Sequence, residues 1–71
     1  MEEMIMDPKI IGRRLRELRG IDRTQQDVAK AIGLTAAAIS MYENGERIPG
    51  DQTKIALATF YGKTVGEIFF A

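Results

Sequence analysis

Ala36, Ala37, Ser40, Met41 and Asn44 are the residues of this chain whose types and spacing suggest contact chemistry. Ile39 and Tyr42, at i and i+3, mark the buried side of one helical segment. At about 100° per residue, Ala36, Ala37, Ser40, Met41 and Asn44 then share the opposite face. That face is small and uncharged. It offers a hydroxyl, an amide and methyl groups, which suit hydrogen bonding and apolar contact rather than bond making. A helix that enters the major groove of DNA needs this slimness to approach base edges, where alanines meet thymine methyls and Ser or Asn bonds bases or phosphates. The same run of alanines is also a well-made first turn, since Ala is the best helix former. On these residues alone both readings stand.

The elements that position this face are visible from caps and stops. Asp7-Pro8 opens a first helix, with Asp as N-cap and Pro at the first helical position, and Gly20 closes it. Ile11, Leu15 and Leu18 form its apolar stripe. Thr24 opens a second helix, Asp27 can complete a capping box, and Gly33 stops it, with Val28, Ala29 and Ile32 facing inward. Thr35 opens the third helix, which runs to about Tyr42 or Glu43 and ends at Asn44-Gly45. The connection from the second helix is therefore a tight helix-turn-helix. Asp51 is expected to cap a fourth helix carrying Leu57, Ala58 and Tyr61 and ending at Gly62, and Thr64 with Glu67 to cap a short fifth holding Val65, Ile68 and Phe69. The expected fold is all-α, a compact five-helix bundle over residues 7–71. Residues 1–6 have no periodic pattern and are expected to form a loose N-terminal arm.

Composition narrows the function. Seventy-one residues make one domain, which buries about 60% of the surface its unfolded chain exposes and leaves no room for a deep cleft. Cys and His are absent, which removes disulfides, thiol nucleophiles, the commonest general base and the usual zinc ligands. No catalysis, metal, cofactor or small-molecule ligand is expected. No stretch approaches the roughly 20 apolar residues that span a bilayer, and the N-terminus lacks the pattern of a signal peptide, so the cytoplasm is the expected compartment.

Net charge is zero, yet charge is uneven along the chain. Residues 1–7 carry three acids, whereas residues 8–23 carry Lys9, Arg13, Arg14, Arg16, Arg19 and Arg23 against Glu17 and Asp22. These cations are either a solvated helix face or a phosphate track.

The segment from Thr24-Gln25-Gln26-Asp27 through Ala29-Lys30-Ala31-Ile32-Gly33, followed by Ile39-Ser40-Met41-Tyr42-Glu43-Asn44-Gly45 and Pro49, resembles the Cro/repressor helix-turn-helix family, also called the xenobiotic-response-element (XRE) family. The resemblance spans roughly residues 9–70 and implies a lambda-repressor-like domain with the helix-turn-helix formed by helices 2 and 3. By the same resemblance, Gln25 holds DNA phosphate and buttresses the recognition helix, and Thr35, Ala36, Ala37, Ser40 and Met41 occupy base-reading or adjacent backbone positions. Asn44 and Arg47 stand where phosphate or groove-edge contacts are made. Each also has a plainer role, as first-turn residue, helix stop or solvated loop charge. Arg19 and Glu43 match a structural pair that ties the first helix to the end of the third.

Two departures from the family pattern stand out. Polar side chains are usual where Ala36 and Ala37 stand, which implies sparse direct readout and more reliance on DNA shape, water and phosphate. The connection Gly20-Ile21-Asp22-Arg23 is short and puts a cation in an apolar place, so Arg23 either lies near the DNA backbone or pairs with Asp22. The resulting expectation is a sequence-specific double-stranded DNA-binding transcriptional regulator, a repressor that binds a palindromic operator as a homodimer. Within Ile68-Phe69-Phe70, Ile68 and one Phe are expected in the core and the other Phe in a dimer patch. The competing expectation is a protein-interaction module, antitoxin-like or a repressor partner, motivated by the zero charge and the alanine face.

Overall fold

A computed structural model describes residues 6–70. Five helices follow in order: α1 (Pro8–Arg19), α2 (Gln25–Ile32), α3 (Ala36–Glu43), α4 (Asp51–Tyr61) and α5 (Val65–Phe69). Their starts are set by side-chain caps. The Asp7 carboxylate accepts from the Lys9 amide at 2.7 Å, and Thr35 Oγ1 accepts from the Ala38 amide at 3.1 Å. Thr24 with Asp27 and Thr64 with Glu67 form complete capping boxes, each satisfying two amide donors that the helix leaves unpaired.

One expected cap is corrected. Gly50, not Asp51, is the N-cap of α4, and no side chain caps it. Asp51 is instead the first helical residue, with its carboxylate exposed and 3.9 Å from Lys54 Nζ. It favours the helix through its charge at the positive end of the dipole.

The turn between α2 and α3 needs a glycine. Gly33 takes the left-handed conformation at φ +75°, which lets the Leu34 amide reach back to the Ala29 carbonyl at 2.8 Å. Only Gly33, Leu34 and Thr35 then separate the two helices.

The core is built from Ile11 and Leu15 of α1, Val28 and Ala29 of α2, Ile39 and Tyr42 of α3, Leu57 and Ala58 of α4, and Ile68 and Phe69 of α5. Leu18, Ile32, Tyr61 and Val65, expected on inward faces, sit half-buried at its rim. Phe69 is the core plug of the C-terminal triplet, and Phe70 packs partly buried beside it. Lys54 is buried with its ammonium 6.0 Å from the Phe69 ring centre and 5.4 Å from that of Phe70. Met6, assigned from sequence to a loose arm, is buried in the core, and its amide donates to the Phe69 carbonyl at 3.1 Å. The rest of that arm lies outside the described residues.

A close approach of α1 to α3 orients the helix-turn-helix. Gly12, in the middle of α1, rests on the last turn of α3. A Cβ at this position would collide with the Glu43 carbonyl and lie 2.8 Å from the Tyr42 carbonyl oxygen. Glycine costs α1 some helix propensity, and here it allows backbone-to-backbone packing.

Candidate nucleic-acid interface

The two faces of α3 differ as its sequence predicts. Ile39, Tyr42 and Glu43 are buried. Ala37 and Asn44 are exposed, and Ala36, Ser40 and Met41 are half-buried on the outer side. Thr35 is exposed at the N-cap. Its oxygen accepts the Ala38 amide, and its hydroxyl hydrogen remains free to donate. The helix contains no Lys or Arg, and its one charge is Glu43.

Glu43 is turned inward, with its side chain 1% exposed. Arg19 meets it in a two-pronged pair, Nε to Oε2 at 2.8 Å and Nη2 to Oε1 at 3.0 Å. Gln25 Nε2 donates to the same Oε1 at 3.1 Å, and Arg16 Nε lies 3.9 Å from it. These bonds hold Arg19 in its charged form and raise its pKa above the ordinary arginine value. With its negative charge balanced by Arg19, Glu43 ties α1 and α2 to the end of α3 without opposing an anion outside. The structural pair expected from the family resemblance is present. Gln25, half-buried, is thereby bonded to the last residue of α3.

Asn44 caps the end of α3, and a residue that sequence reasoning had left among several basic ones secures it. Arg16 Nη2 donates to Asn44 Oδ1 at 2.7 Å. Asn44 Nδ2 in turn lies 3.3 Å from Ser40 Oγ and 3.4 Å from Glu46 Oε2. The signal was in the spacing, because Arg16 precedes Arg19 by three residues and so shares its helix face. Arg16, Gln25, Gln26 and Ala36 together line an open groove between the end of α1 and the start of the helix-turn-helix.

The remaining cations differ in availability. Arg23 does not pair with Asp22 among the described residues. Its guanidinium lies 5.2 Å from the Phe60 ring centre and 5.3 Å from that of Tyr61. It also donates to the Leu18 carbonyl at 3.0 Å and the Arg19 carbonyl at 3.3 Å. Arg23 thus closes the end of α1, where unpaired carbonyls and the negative end of the dipole attract a cation. The Tyr61 hydroxyl beneath it has its pKa raised, first by burial and then by the charge of Glu43. Arg47 is exposed in the loop after α3, with no ion pair among the described residues.

No group of acidic, His or Cys side chains among the described residues is arranged to hold a metal, and none of the described helices is long and apolar enough to cross a membrane. The arrangement is a small, uncharged helix face flanked by fixed donors.

Comparison with known proteins agrees with this geometry. The fold matches the restriction-modification controller protein C.AhdI from Aeromonas hydrophila at TM-score 0.77 and 32% identity, covering 89% of this chain and 93% of that one. It matches the P22 c2 repressor, solved with a synthetic operator, at TM-score 0.79 and 25% identity, covering 83% and 91%. The DNA-binding domain of BldD from S. venezulae matches at TM-score 0.74 and 29% identity, covering 89% and 96%. No curated protein sequence matches the chain significantly. The helix-turn-helix family model matches residues 13–68, and with five helices in lambda-repressor-like order, the chain belongs to the Cro/repressor (XRE) helix-turn-helix family of DNA-binding regulators.

Proposed function

We propose that this protein is a transcriptional repressor that binds a two-fold-symmetric double-stranded DNA operator as a homodimer in the cytoplasm, with α3 in the major groove. One observation carries the proposal: the outward face of α3 is slim and uncharged, its only acid is turned inward and paired, and the exposed cation Arg16 is bonded to its C-terminal end. Ala36 and Ala37 meet thymine methyls, Thr35 and Ser40 supply hydroxyls, Met41 adds apolar contact, and Asn44 and Arg47 contact backbone or groove edge. Gln25 reaches phosphate from the start of α2, where the helix dipole favours an anion.

The P22 c2 repressor, similar in fold, is described in complex with an operator, and the Aeromonas relative is a controller protein. A single recognition helix spans half a site, which supports a dimer on half-sites about one helical turn apart. Repression follows by occlusion of the promoter.

The test is selection of bound sequences from a random duplex library, then titration of the recovered duplex over a range of salt concentrations. A palindromic consensus, two chains per duplex and affinity falling steeply with salt support the reading. Absence of enrichment would refute it and favour a protein partner.

A further inference from the structure

We infer that Arg16 is a positioning residue of the DNA-binding face that also contacts a phosphate, and that by fixing the Asn44 amide it leaves the Ser40 hydroxyl as the donor at the C-terminal end of α3. The inference rests on the DNA-binding reading above and adds to it which chemical groups of the duplex this end of the helix accepts.

An arginine can only donate hydrogen bonds, and an asparagine amide has one accepting and one donating end. Arg16 Nη2 sits 2.7 Å from the Asn44 side chain, so the amide oxygen must face Arg16 and the NH2 group must point away. The other neighbours require the same orientation. The Glu46 carboxylate and the Ser40 hydroxyl, at 3.4 and 3.3 Å from Nδ2, both accept from it. A flipped amide would oppose donor to donor at Arg16 and acceptor to acceptor at Glu46. Ser40, with its oxygen occupied by Asn44, has its hydroxyl hydrogen left to give. Both Asn44 hydrogens are directed within the cluster, at Ser40 and Glu46, so the donor left at this end of α3 is the Ser40 O–H, which matches acceptors such as phosphate oxygens, purine N7, guanine O6 and thymine O4.

Arg16 itself is only partly used by this arrangement. Its side chain is 55% exposed. Nη2 bonds Asn44 and Nε faces Glu43 at 3.9 Å, leaving Nη1 without a hydrogen-bond partner among the described residues. The same residue lines the open groove with Gln25, Gln26 and Ala36. Because α3 has no cation of its own, charge for the phosphates beside it must come from neighbouring elements. Gly12, by seating α1 directly on α3, places Arg16 within reach.

The experiment measures the affinity of the full chain for the duplex recovered by selection, at several salt concentrations, for wild type, Arg16→Met, Asn44→Asp and Lys63→Met. Lys63→Met removes the same charge on the α5 side, where Lys63 lines a different cavity with Arg14 and Glu67. Thermal unfolding confirms that each variant is folded. Arg16→Met should weaken binding about tenfold and make the slope of log affinity against log salt shallower by about 1, the loss of one phosphate contact. Lys63→Met should leave the slope unchanged. Asn44→Asp keeps an oxygen toward Arg16 but sets a second carboxylate beside Ser40 and Glu46, and should weaken binding at least about tenfold while the fold persists.

An unchanged slope for Arg16→Met, or tight binding by Asn44→Asp, would overturn this inference and leave the DNA-binding reading intact. Failure of the wild type to bind any selected duplex would overturn both.

Discussion

The guanidinium of Arg19 and the carboxylate of Glu43 meet through two parallel hydrogen bonds of 2.8 and 3.0 Å, across 24 residues of sequence. The pair joins the last residue of α1 to the last residue of α3, and Gln25 adds a bond from the first residue of α2. Three helices are thus registered on one carboxylate. Removing the cation leaves a charge in a site that is 1% exposed. Arg19→Met is therefore expected to destabilise the domain by about 3 kcal/mol, the lower end for a broken buried pair because Arg16 and Gln25 remain. Urea denaturation checks this, and a loss below about 1 kcal/mol would show that the pair behaves like a surface one.

Gly12→Ala reverses the ordinary effect of replacing a mid-helix glycine. On helix propensity alone the change would stabilise by about 1 kcal/mol. Here the added methyl meets the carbonyls of Tyr42 and Glu43, so a net loss of about 3 kcal/mol and a displaced α3 are expected. A rise in melting temperature would contradict the close approach of the two helices.

Arg23 and Arg47 are expected to separate a structural cation from one that contacts DNA. Arg23→Ala forfeits two ring contacts and two carbonyl bonds. It should cost about 1–2 kcal/mol of stability and leave the salt dependence of DNA binding as it was. Arg47→Ala should leave stability unchanged and make the salt slope shallower by about 1. Parallel denaturation and binding titrations on both variants distinguish the two roles, and a shallower slope for Arg23→Ala would return that residue to the phosphate track.

The outward face of α3 can be tested directly. Ala37 is exposed, so Ala37→Glu should fold normally and abolish DNA binding by placing a carboxylate against the groove. Gln25→Ala should weaken binding to all sequences. A glutamate variant that still binds its duplex would remove α3 from the interface.

Stability should fall on acidification. Asp27 and Glu67 accept the backbone amides of Thr24 and Thr64, and these bonds hold both carboxyls below their ordinary pKa. A carboxyl whose folded pKa is depressed contributes stability that is complete above its unfolded pKa, near 4, and that disappears as pH drops through the folded value. The double variant Asp27→Asn, Glu67→Gln should therefore show a flatter melting temperature between about pH 5 and pH 2 than wild type. Identical acid limbs for the two proteins would mean that the capping boxes contribute nothing to the pH dependence.

The fold was legible because its local signals agree. Asp7, Thr24, Thr35 and Thr64 mark helix starts through bonds to residues two or three positions away, an interaction contained within the sequence window itself. Asp51 misled because a carboxylate serves equally well as a cap or in the first turn, and Gly50 beside it supplies the backbone geometry. Site residues on α3 were placed by periodicity. What periodicity misses is a bond between side chains far apart in sequence. Arg16 and Asn44 are 28 residues apart, and nothing in either segment names the other. The contacts of Arg23 were hidden in the same way, since its partners Phe60 and Tyr61 belong to α4. The burial of Lys54 and Met6 likewise depends on where Phe69 and Phe70 dock.

The seat that Gly12 provides for Tyr42 and Glu43 limits how far the outward face of α3 can be transplanted. An excised α2–α3 peptide would lack the surface that sets the angle of its second helix. A specificity exchange between relatives would fail if it moved the outward residues of α3 together with the Tyr42-Glu43-Asn44 end, because that end belongs to α1 as much as to α3. Successful grafts would retain Gly12, Arg16 and Arg19 with residues 42–44 as one inheritance unit and vary only positions 36, 37, 40 and 41.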